Sequence, residues 1–576
     1  MNRKYPKPFN GRFSICLFFA LMFLQIAGFA QTLPVGIFNG VEDTYRRSQL
    51  LGLDTSNSSY LIRPLFINQR NLHRFDDQDD DLSLADFRKS LFQSHNQLLK
   101  IYALPIVWQQ QFNSHHPYGM NDGAMIHAKG YQTQFSAGIY AKFGPLSIQL
   151  RPEVVYAQNS HFTQTFERDN GSNFATAYRN YMNRIDLPER FGNGTYKKVN
   201  WGQSSVRLTF DPVSIGISNE NLWWGPGVRN SLLMTNNSDG FKHATLNTTR
   251  PIKTYIGSFE AQLIGGRLEG SGIEVPNLPG YNAKPNNWRY LSAVAVTWQP
   301  KWVPNLYLGF DRAYVVYKKD MEKGFRGYFP IFSALEKKSY APKNLGDRNE
   351  EDLRKSDQNL SLFARWVMPE SRAEVYVQFG RNDHAWDWRD AIAEPEHTQA
   401  YIAGFRKLIP FGKATDEFIQ AGVEFTHLEG SSTQRLRDYP FWYAHHNVVA
   451  GYTNNGQVFG AGIGPGSNMQ SLDVNWVKGL KKIGITLERT LHNNDLYYRA
   501  FGTAPNTDFR RHWVDLSFIG NFNWDYKNFV LNTQLGLIHS LNYQYQFQNQ
   551  SPTDIFVWDK ADVNNFHAKV GLMYRW

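Results

Sequence analysis

Long stretches of alternating apolar and polar positions dominate the sequence. Residues 131–143 read YQTQFSAGIYAKF, in which the odd positions from Tyr131 to Phe143 form one mostly apolar face and the even positions form the other. A period of two sustained over this length predicts a β-strand, one longer than the usual globular strand of about 5–6 residues. Gly144 and Pro145 predict a turn, after which the alternation resumes. Residues 131–151 are therefore predicted to be two long strands joined by a tight turn.

The same alternation recurs along the chain, at 373–380, 514–518, 529–537 and 565–576. In the last segment Phe566, Tyr574 and Trp576 fall on the apolar face. A chain that stops on an aromatic residue of a final strand resembles the signal that the outer-membrane barrel assembly machinery recognises. We predict that these three residues carry this signal.

Strand length and alternation together predict a transmembrane barrel, whose strands place apolar side chains towards lipid and polar side chains towards the lumen. With roughly 25 residues for each strand and its connection, residues 99–576 predict an all-β, antiparallel barrel of about 18 strands. The alternative is a large soluble β protein such as a propeller or solenoid. The sequence shows no internal repeat of about 20–50 residues, which disfavours that class.

The first thirty residues are typical of a cleavable signal peptide. Arg3, Lys4, Lys7 and Arg12 precede an apolar run at 13–26, and small residues follow before Gln31. The run is shorter than the roughly 20 residues that a membrane-spanning helix needs. We predict a signal peptide at 1–30, the alternative being an uncleaved anchor. The single cysteine, Cys16, lies within it, so the mature chain is expected to contain no disulfide.

Residues 31–98 are predicted to form a small helical segment in the periplasm. Ile37, Val41, Tyr45 and Gln49 follow a helical spacing, as do Leu84, Phe87, Leu91 and His95. The acidic run at 76–81 is interpreted as a solvated connector. Longer polar stretches at 158–200, 318–358 and 541–562 are predicted to be extracellular loops.

Composition agrees with a membrane barrel. Aromatic residues make up 15% of the chain and its mean hydropathy is −0.49, while no further apolar run is long enough for a helical span. Removing the four basic residues of 1–30 from the 61 Lys and Arg leaves 57 against 51 Asp and Glu, a net charge of +6. No basic stripe interleaves with aromatics, so nucleic acid is not an expected partner. The expected surroundings are the lipids of a Gram-negative outer membrane.

Two stretches, 218–272 and 442–472, exceed what a barrel wall needs, and with a third they carry a resemblance to a known family. The three are 113–132 (NSHHPYGMNDGAMIHAKGYQ), 218–272 with its WWGPG element, and 442–472 with HHNVVAGYTNNGQ and GIGPGS. Together they resemble the capsule assembly Wzi family over most of the mature chain. The resemblance implies an outer-membrane barrel of about eighteen strands with helices on the periplasmic side. It also implies a lectin-like protein, without enzymatic activity or cofactor, that binds and organises capsular polysaccharide or exopolysaccharide at the cell surface.

The first long stretch supplies residue types that suit sugars. Trp223 and Trp224 offer flat apolar faces with N–H edges, and Arg229 can fork two hydrogen bonds to a carboxylate. Asn236, Asn237 and Asp239 add donors and acceptors for hydroxyls. We predict polysaccharide binding by these six residues. Two alternatives remain open: tryptophans of the interfacial girdle, or a turn shaped by the glycines and proline of WWGPG.

In the second stretch Tyr443, His445, His446, Tyr452 and Asn454 are predicted to bind polysaccharide as well. Adjacent histidines on a strand would point to opposite faces, which disfavours a shared metal ion. The repeated glycines between 451 and 466 predict close backbone packing or loops folded into the lumen.

Two other functions remain as alternatives. A porin or substrate channel fits the length and the polar lumen, although the predicted helices and folded stretches favour a filled lumen. An outer-membrane hydrolase would need two carboxylates at a defined separation, for which Glu260 and Glu269 are candidates. The sequence carries neither G-x-S-x-G nor HExxH.

Overall fold

The structure is a computed structural model that describes most of the chain after residue 30. The described residues are 31–36, 39–54, 56–67, 90–275, 278–332, 355–382, 388–393, 396–412, 416–430, 441–502, 511–546, 548–550, 553, 558–559, 561–575. The predicted signal peptide, the acidic run at 76–81 and Trp576 lie outside them.

Eighteen antiparallel strands in the described part of the chain form a closed barrel. They are β1 (Leu99–Asn113), β2 (Gly130–Phe143), β3 (Leu146–Leu150 and Glu153–Ala157), β4 (Tyr196–Asn200 and Ser205–Phe210), β5 (Val213–Ser218), β6 (His243–Thr248 and Ile252–Thr254), β7 (Gly257–Leu268), β8 (Arg289–Pro300), β9 (Leu306–Tyr317), β10 (Ser356–Met368), β11 (Ala373–Asn382), β12 (Gln399–Pro410), β13 (Glu417–His427), β14 (Asn468–Lys478), β15 (Lys481–Leu491), β16 (Val514–Tyr526), β17 (Phe529–Leu541) and β18 (Val563–Tyr574). The barrel closes where β18 pairs with β1, with Gly571 opposite Gln109. The predicted fold class is confirmed.

The wall follows the predicted alternation. In β11 the side chains of Val375, Val377 and Phe379 are exposed on the outer surface, whereas Glu374 and Tyr376 are buried towards the lumen. An apolar outer face with polar residues inside is the arrangement that a lipid-facing barrel needs, because successive residues of each wall strand point alternately to lipid and to the lumen.

The two ends of the barrel differ. One end carries tight turns, such as Gly144–Pro145 between β2 and β3 and Lys527–Asn528 between β16 and β17. The last strand also finishes at this short-turn end, where Tyr574 pairs with Phe529. The stretches predicted as long loops contain the connections 158–195, 318–355 and 542–562, and the strands that flank these connections meet them at the opposite, long-connection end. Short turns are typical of the periplasmic side of such barrels.

Few helices occur among the described residues. They are α1 (Asn39–Leu50), α2 (Ser172–Met182), α3 (Phe325–Tyr328), α4 (Trp388–Ala393) and α5 (Asn494–Phe501). None of them is long and apolar enough to cross a membrane. Short strand pairs add to the inner structure, among them Gln31–Leu33 with Leu65–Ile67, and Ile62–Arg63 with Trp223–Trp224.

Helix α1 matches the first helical spacing of the sequence and lies inside the barrel at the short-turn end. Val41 and Gln49 are buried, and the Arg46 side chain contacts Glu374 on the lumenal face of β11. The second predicted helix is wrong where the structure describes it. Residues 92–93 form a strand that pairs with β1, because backbone pairing along the sheet overrides the weak helical spacing of Leu91 and His95.

Candidate functional site

Segments that fold inward from the long connections fill most of the lumen. They come from the connections 114–129, 219–242 and 441–467, and α1 adds to them from the short-turn end. The large side chains of Trp224, Trp442, Tyr443 and Tyr452 are fully buried in a common apolar cluster. The wall therefore encloses a packed interior rather than an open pore.

The WWGPG element is a turn held inside the lumen, as one of the sequence alternatives predicted. Gly225 adopts a φ of +112°, which favours glycine because a side chain there would be strained. The backbone N–H groups of Val228, Arg229 and Asn230 all donate to the Glu424 carboxylate on β13. Three N–H groups converging on one carboxylate fix the turn to the wall.

The tryptophan pair is buried rather than displayed. Trp224 has no exposed surface, and its Nε1–H donates to Gln262 at 2.9 Å. Trp223 is 4% exposed, with the Arg63 guanidinium 4.5 Å from the centre of its ring. Neither indole ring presents a free face at the long-connection end of the barrel. Sugar binding by this pair remains a prediction.

Three predicted polar residues hold the inward segments together. Asn236 donates to the Asn121 carbonyl at 2.9 Å and Asn237 to the Val458 carbonyl at 3.2 Å. Asp239 accepts hydrogen bonds from Lys198 on the wall and from Asn454, both at 2.9 Å. Predicted residues of the two stretches therefore lie together, but their hydrogen bonds go to each other, to neighbouring inward segments and to the barrel wall.

The second stretch is also mostly buried. The Tyr443 hydroxyl donates to the Leu232 carbonyl at 2.8 Å, and its ring stacks on Tyr452. His445 is buried and His446 is exposed. Their predicted placement on opposite faces of a strand is wrong: they lie in a connection outside the strands, and their rings stack 4.5 Å apart.

Close packing within the lumen, as predicted, explains five of the six glycines between 451 and 466, whereas a Cβ at Gly464 would meet nothing within 4 Å. A Cβ at Gly460 would lie 2.2 Å from the Leu232 carbonyl oxygen, and one at Gly462 would lie 2.6 Å from the Asn237 side chain. Any larger residue would push the inward segments apart.

Two of the cavities that the described residues line lie one behind the other in this lumen. The loop-end cavity, of about 290 Å³, lies at the long-connection end, and Tyr118, His492, Trp513, Asp515 and Tyr543 are among its lining residues. The turn-end cavity, of about 240 Å³, lies at the short-turn end, and Arg46, Arg63, Trp223, Arg229 and Asn236 are among its lining residues. Of the residues predicted to bind polysaccharide, only Asn237 lines the loop-end cavity.

An aromatic and acidic cluster forms one wall of the loop-end cavity. The half-buried Trp513 ring stacks on His492 with centres 4.0 Å apart and meets Tyr543 edge-on at 5.1 Å. Its Nε1–H donates to Asp515 at 3.0 Å, and His492 contacts the other oxygen of that carboxylate at 2.8 Å. Flat rings are thereby fixed beside an oriented carboxylate.

Tyr118 and His116 extend the lining of this cavity. The Tyr118 hydroxyl donates to Ser517 at 3.2 Å, and burial raises the pKa of Tyr118, which keeps it a neutral hydroxyl. Burial lowers the pKa of His116 to about 4, so its ring is neutral near pH 7. The Nε2 atom of His116 is buried and has no hydrogen-bond partner in the described structure.

Sequence reasoning missed most of this cavity. The stretch 113–132 was recognised by its resemblance to the family but supplied no predicted site residue. Trp513, Asp515 and Tyr543 belong to connections and strand ends that show no distinctive motif. The one available signal was local: Trp513 and Asp515 stand two apart, which places them on the same face where β16 begins.

The two candidate hydrolase carboxylates do not form a pair. Glu260 lies near the short-turn end of β7, where it accepts the Ser59 backbone N–H at 2.7 Å. Glu269 follows the other end of β7 and pairs with Arg267. Nine residues of strand separate them by about 30 Å, too far to flank one glycosidic bond.

A comparison with protein families gives one match. Residues 109–510 match the model of a family described as "Capsule assembly protein Wzi". This range covers more than half of the chain. No match was found among curated protein sequences.

Solved structures with a similar fold include Wzi from Escherichia coli, described as an outer membrane protein involved in group 1 capsule assembly and a carbohydrate-binding β-barrel. The TM-score is 0.50 at 13% identity, covering 82% of this chain and 84% of that one. Acinetobacter baumannii OccAB2 and Pseudomonas aeruginosa OpdQ match with TM-scores of 0.39 and 0.38 at 10% and 8% identity, each covering 82% of this chain and 97% of its own. At such identities the likeness to the Escherichia coli protein concerns the fold alone.

Proposed function

Because the chain belongs to the capsule assembly protein Wzi family, we propose that it binds and organises a capsular polysaccharide or exopolysaccharide at the cell surface. Its place is the outer membrane of a Gram-negative bacterium, with lipid around the apolar outer face and the barrel assembly machinery as the partner during insertion. The exposed aliphatic and aromatic side chains of the wall support this location.

The observation that carries the proposal is the lining of the loop-end cavity. Trp513 and Tyr118 are half-buried, so each combines an exposed ring surface with a fixed position. Aromatic rings suit the C–H faces of sugars because they are flat and apolar with a polar edge. Asp515 and Glu488 line the same cavity and can accept hydrogen bonds from sugar hydroxyls.

The residues predicted from the WWGPG and HHNVVAGYTNNGQ elements have a different part in this proposal. Trp224, Asn236, Asp239 and Tyr443 tie the inward segments to each other and to the wall. We propose that this packing holds the loop-end cavity in shape. Direct contact with polymer is assigned to the cavity lining instead.

Attachment is proposed to be non-covalent and without catalysis. A neutral hydrogen bond contributes only about 0.5–1.5 kcal/mol net, so one sugar residue in the cavity is held weakly. A polymer presents the same unit many times, and a cell surface presents many barrels. Binding through several such contacts raises the overall avidity without a strong single site.

The test uses the full-length barrel in detergent and the surface polysaccharide of the source strain as the probe. Trp513→Ala removes a half-buried ring of the cluster, and we expect it to weaken polymer binding severalfold in a surface plasmon resonance assay. Trp302→Ala is the matched control, because Trp302 is 65% exposed and lies in the turn at the opposite end of the barrel. That variant is expected to bind as the parent does.

The two variants also define the results that contradict the proposal. Equal binding by Trp513→Ala and the parent places the polymer contact elsewhere. Loss of binding in Trp302→Ala as well shows that the polymer adheres to aromatic surface in general. Progressive shortening of the polymer during incubation contradicts binding without catalysis.

A further inference from the structure

The turn-end cavity contains buried N–H donors that have no acceptor. Within the described residues, Nη2 of Arg46, Nε and Nη2 of Arg63, and Nε1 of Trp223 lack a hydrogen-bond partner. Arg46 is 7% exposed and Trp223 is 4% exposed. Buried donors are nearly always paired in folded proteins, so a cluster of unpaired ones calls for an explanation such as a ligand.

These donors belong to one patch of the cavity wall. Glu42 and Arg46 are one turn apart on α1 and so share a face. Arg63 Nη1 donates to Glu42 at 3.3 Å, and the Arg63 guanidinium lies over the Trp223 ring. Arg46 Nη1 donates to the Pro226 carbonyl at 2.7 Å, three residues beyond Trp223.

The charges around the cavity are mixed, with an excess of cations in the lining itself. Seven basic side chains line it, against three carboxylates. They are Arg46, Arg47, Arg63, Arg229, Arg406, Lys482 and Lys569, against Glu42, Asp43 and Asp473. Further carboxylates stand behind this lining: Glu374 contacts Arg46 and Arg406, Glu488 contacts Arg229, and Asp122 contacts Lys569. Net charge alone therefore favours an anion only modestly. Among the buried polar atoms of the lining that have no hydrogen-bond partner, six are donors and two, Glu42 Oε1 and Asn121 Oδ1, are acceptors, so the unpaired groups favour a ligand rich in acceptors.

We propose that the turn-end cavity binds a small oxyanion, the carboxylate or phosphate group of a sugar acid or sugar phosphate, through Arg46, Arg63 and Trp223. Guanidinium groups and an indole N–H are donors only, and the planar guanidinium matches carboxylate and phosphate oxygens. A cavity of about 240 Å³ suits a small molecule rather than a stretch of polymer. Asn121, Asn236 and Asn532 line the rest of the cavity and can bind hydroxyls.

This site is separate from the loop-end cavity. The Arg229–Glu488 ion pair and Met120 stand between the two, since Arg229 lines the turn-end cavity, Glu488 lines the loop-end cavity and Met120 lines both. Oxyanion binding in the turn-end cavity is therefore independent of polymer binding at the cell surface.

Isothermal titration of the full-length barrel in detergent tests the proposal. Glucuronate is the first probe and glucose, which has the same ring without the charge, is its control. We expect glucuronate to bind, glucose not to bind, and the affinity for glucuronate to fall as salt is raised. Glucose 6-phosphate and inorganic phosphate are tested next. If either binds, the site accepts phosphate groups as well; if neither binds, the site is specific for carboxylates.

The variant Arg63→Gln tests whether the ligand binds in the turn-end cavity. Glutamine can still donate a hydrogen bond to Glu42, but it lacks the positive charge and the forked donor geometry of the guanidinium group. Glucuronate affinity is expected to fall about tenfold or more, as for the loss of a charge-assisted hydrogen bond. Arg267→Gln is the matched control. Arg267 also pairs with a glutamate, Glu269, and also lies over an indole ring, that of Trp288, but at the other end of the barrel.

Three results overturn the proposal. The first is a parent barrel that binds none of the oxyanions at millimolar concentration. The second is unchanged affinity in a folded Arg63→Gln variant. The third is an equal loss in Arg267→Gln. If Arg63→Gln does not give a heat-modifiable barrel, Trp223→Phe replaces it, because phenylalanine keeps an aromatic ring beside Arg63 but removes the unpaired Nε1–H. Unchanged affinity in that variant overturns the proposal in the same way.

Discussion

Arg229 and Glu488 form an ion pair that stands between the loop-end and turn-end cavities, with the arginine in the lining of one and the glutamate in the lining of the other. Arg229 comes from the inward WWGPG turn and Glu488 from wall strand β15, so the pair fastens the contents of the lumen to the wall. The pair also lies across the route that a solute would take along the barrel axis.

The first prediction concerns conduction. Because the lumen is packed around this pair, the parent barrel is expected to give no steady, porin-sized conductance in planar bilayers. The double variant Arg229→Ala/Glu488→Ala is expected to raise conductance, because it removes the two side chains that lie across the axis of the barrel. Both are replaced together so that neither charge is left buried alone. A large, steady conductance from the parent would favour the porin alternative instead.

The second prediction concerns the carboxylate that holds α1 in the barrel. Glu374 is fully buried and contacts Arg46 at 2.8 Å, Arg365 at 2.6 Å and Arg406 at 3.5 Å. Glu374→Gln removes the counter-charge of Arg46 and Arg365, whereas Arg406 keeps its ion pair with Asp43. The variant is expected to lower the free energy of unfolding by about 3–5 kcal/mol. Urea titration followed by the heat-modifiable gel shift measures this.

Glu417→Gln serves as the control for that measurement. Glu417 pairs with Lys478 at 3.1 Å on the surface of the barrel, where both side chains are partly exposed. Exposed pairs contribute about 0–1 kcal/mol, so this variant is expected to unfold close to the parent. Equal unfolding midpoints for the two variants would mean that Glu374 is not the anchor of α1.

The third prediction concerns pH. Burial lowers the pKa of His116 to about 4 in the folded barrel, whereas a histidine in the unfolded chain titrates near 6.5. Between these values the unfolded chain binds a proton that the folded barrel does not, so stability falls as pH drops from about 6.5 towards 4. The slope for one group is at most about 1.4 kcal/mol per pH unit.

Unfolding midpoints of the parent and of His116→Gln, measured from pH 7 to pH 4, check this. The variant is expected to lose part of the acid sensitivity. His446→Gln, in an exposed position of another connection, is expected to keep the parent's profile. If the parent and His116→Gln show the same pH dependence, His116 does not carry the effect.

The fourth prediction concerns assembly. Phe566 lies on the exposed outer face of β18, and Tyr574 lies near its end. Together with Trp576 they resemble the insertion signal of outer-membrane barrels. Trp576→Ala and Trp576→Asp are each expected to lower the amount of folded protein in the outer membrane, measured by heat-modifiable migration. Unchanged amounts for both variants would show that this aromatic residue is not required.

The wall of the barrel could be predicted from sequence because its signal is local. Val375 and Glu374 are neighbours in the chain, and a period of two alone places them on opposite faces. Helix α1 was found for the same reason, since Val41 and Gln49 recur at helical spacing. Such patterns need no knowledge of which distant segment lies alongside.

The candidate site could not be found in this way. Tyr118 and Trp513 line one cavity only because β18 closes onto β1 and the connections fold inward. A motif such as WWGPG signals an unusual local shape, but it does not tell whether the rings face sugar or core. Burial of Trp224 follows from segments more than a hundred residues away, including Tyr443 and Tyr452, which share its apolar cluster.

The central claim is that the loop-end cavity retains surface polysaccharide. The most direct measurement compares cell-attached and shed polysaccharide in a strain without the gene, complemented with the parent, with Trp513→Ala or with Trp302→Ala. We expect loss of the gene to move polymer from the attached to the shed fraction at constant total. The parent and Trp302→Ala are expected to restore attachment, and folded Trp513→Ala to restore it only in part. An unchanged attached fraction in the strain without the gene would contradict the claim.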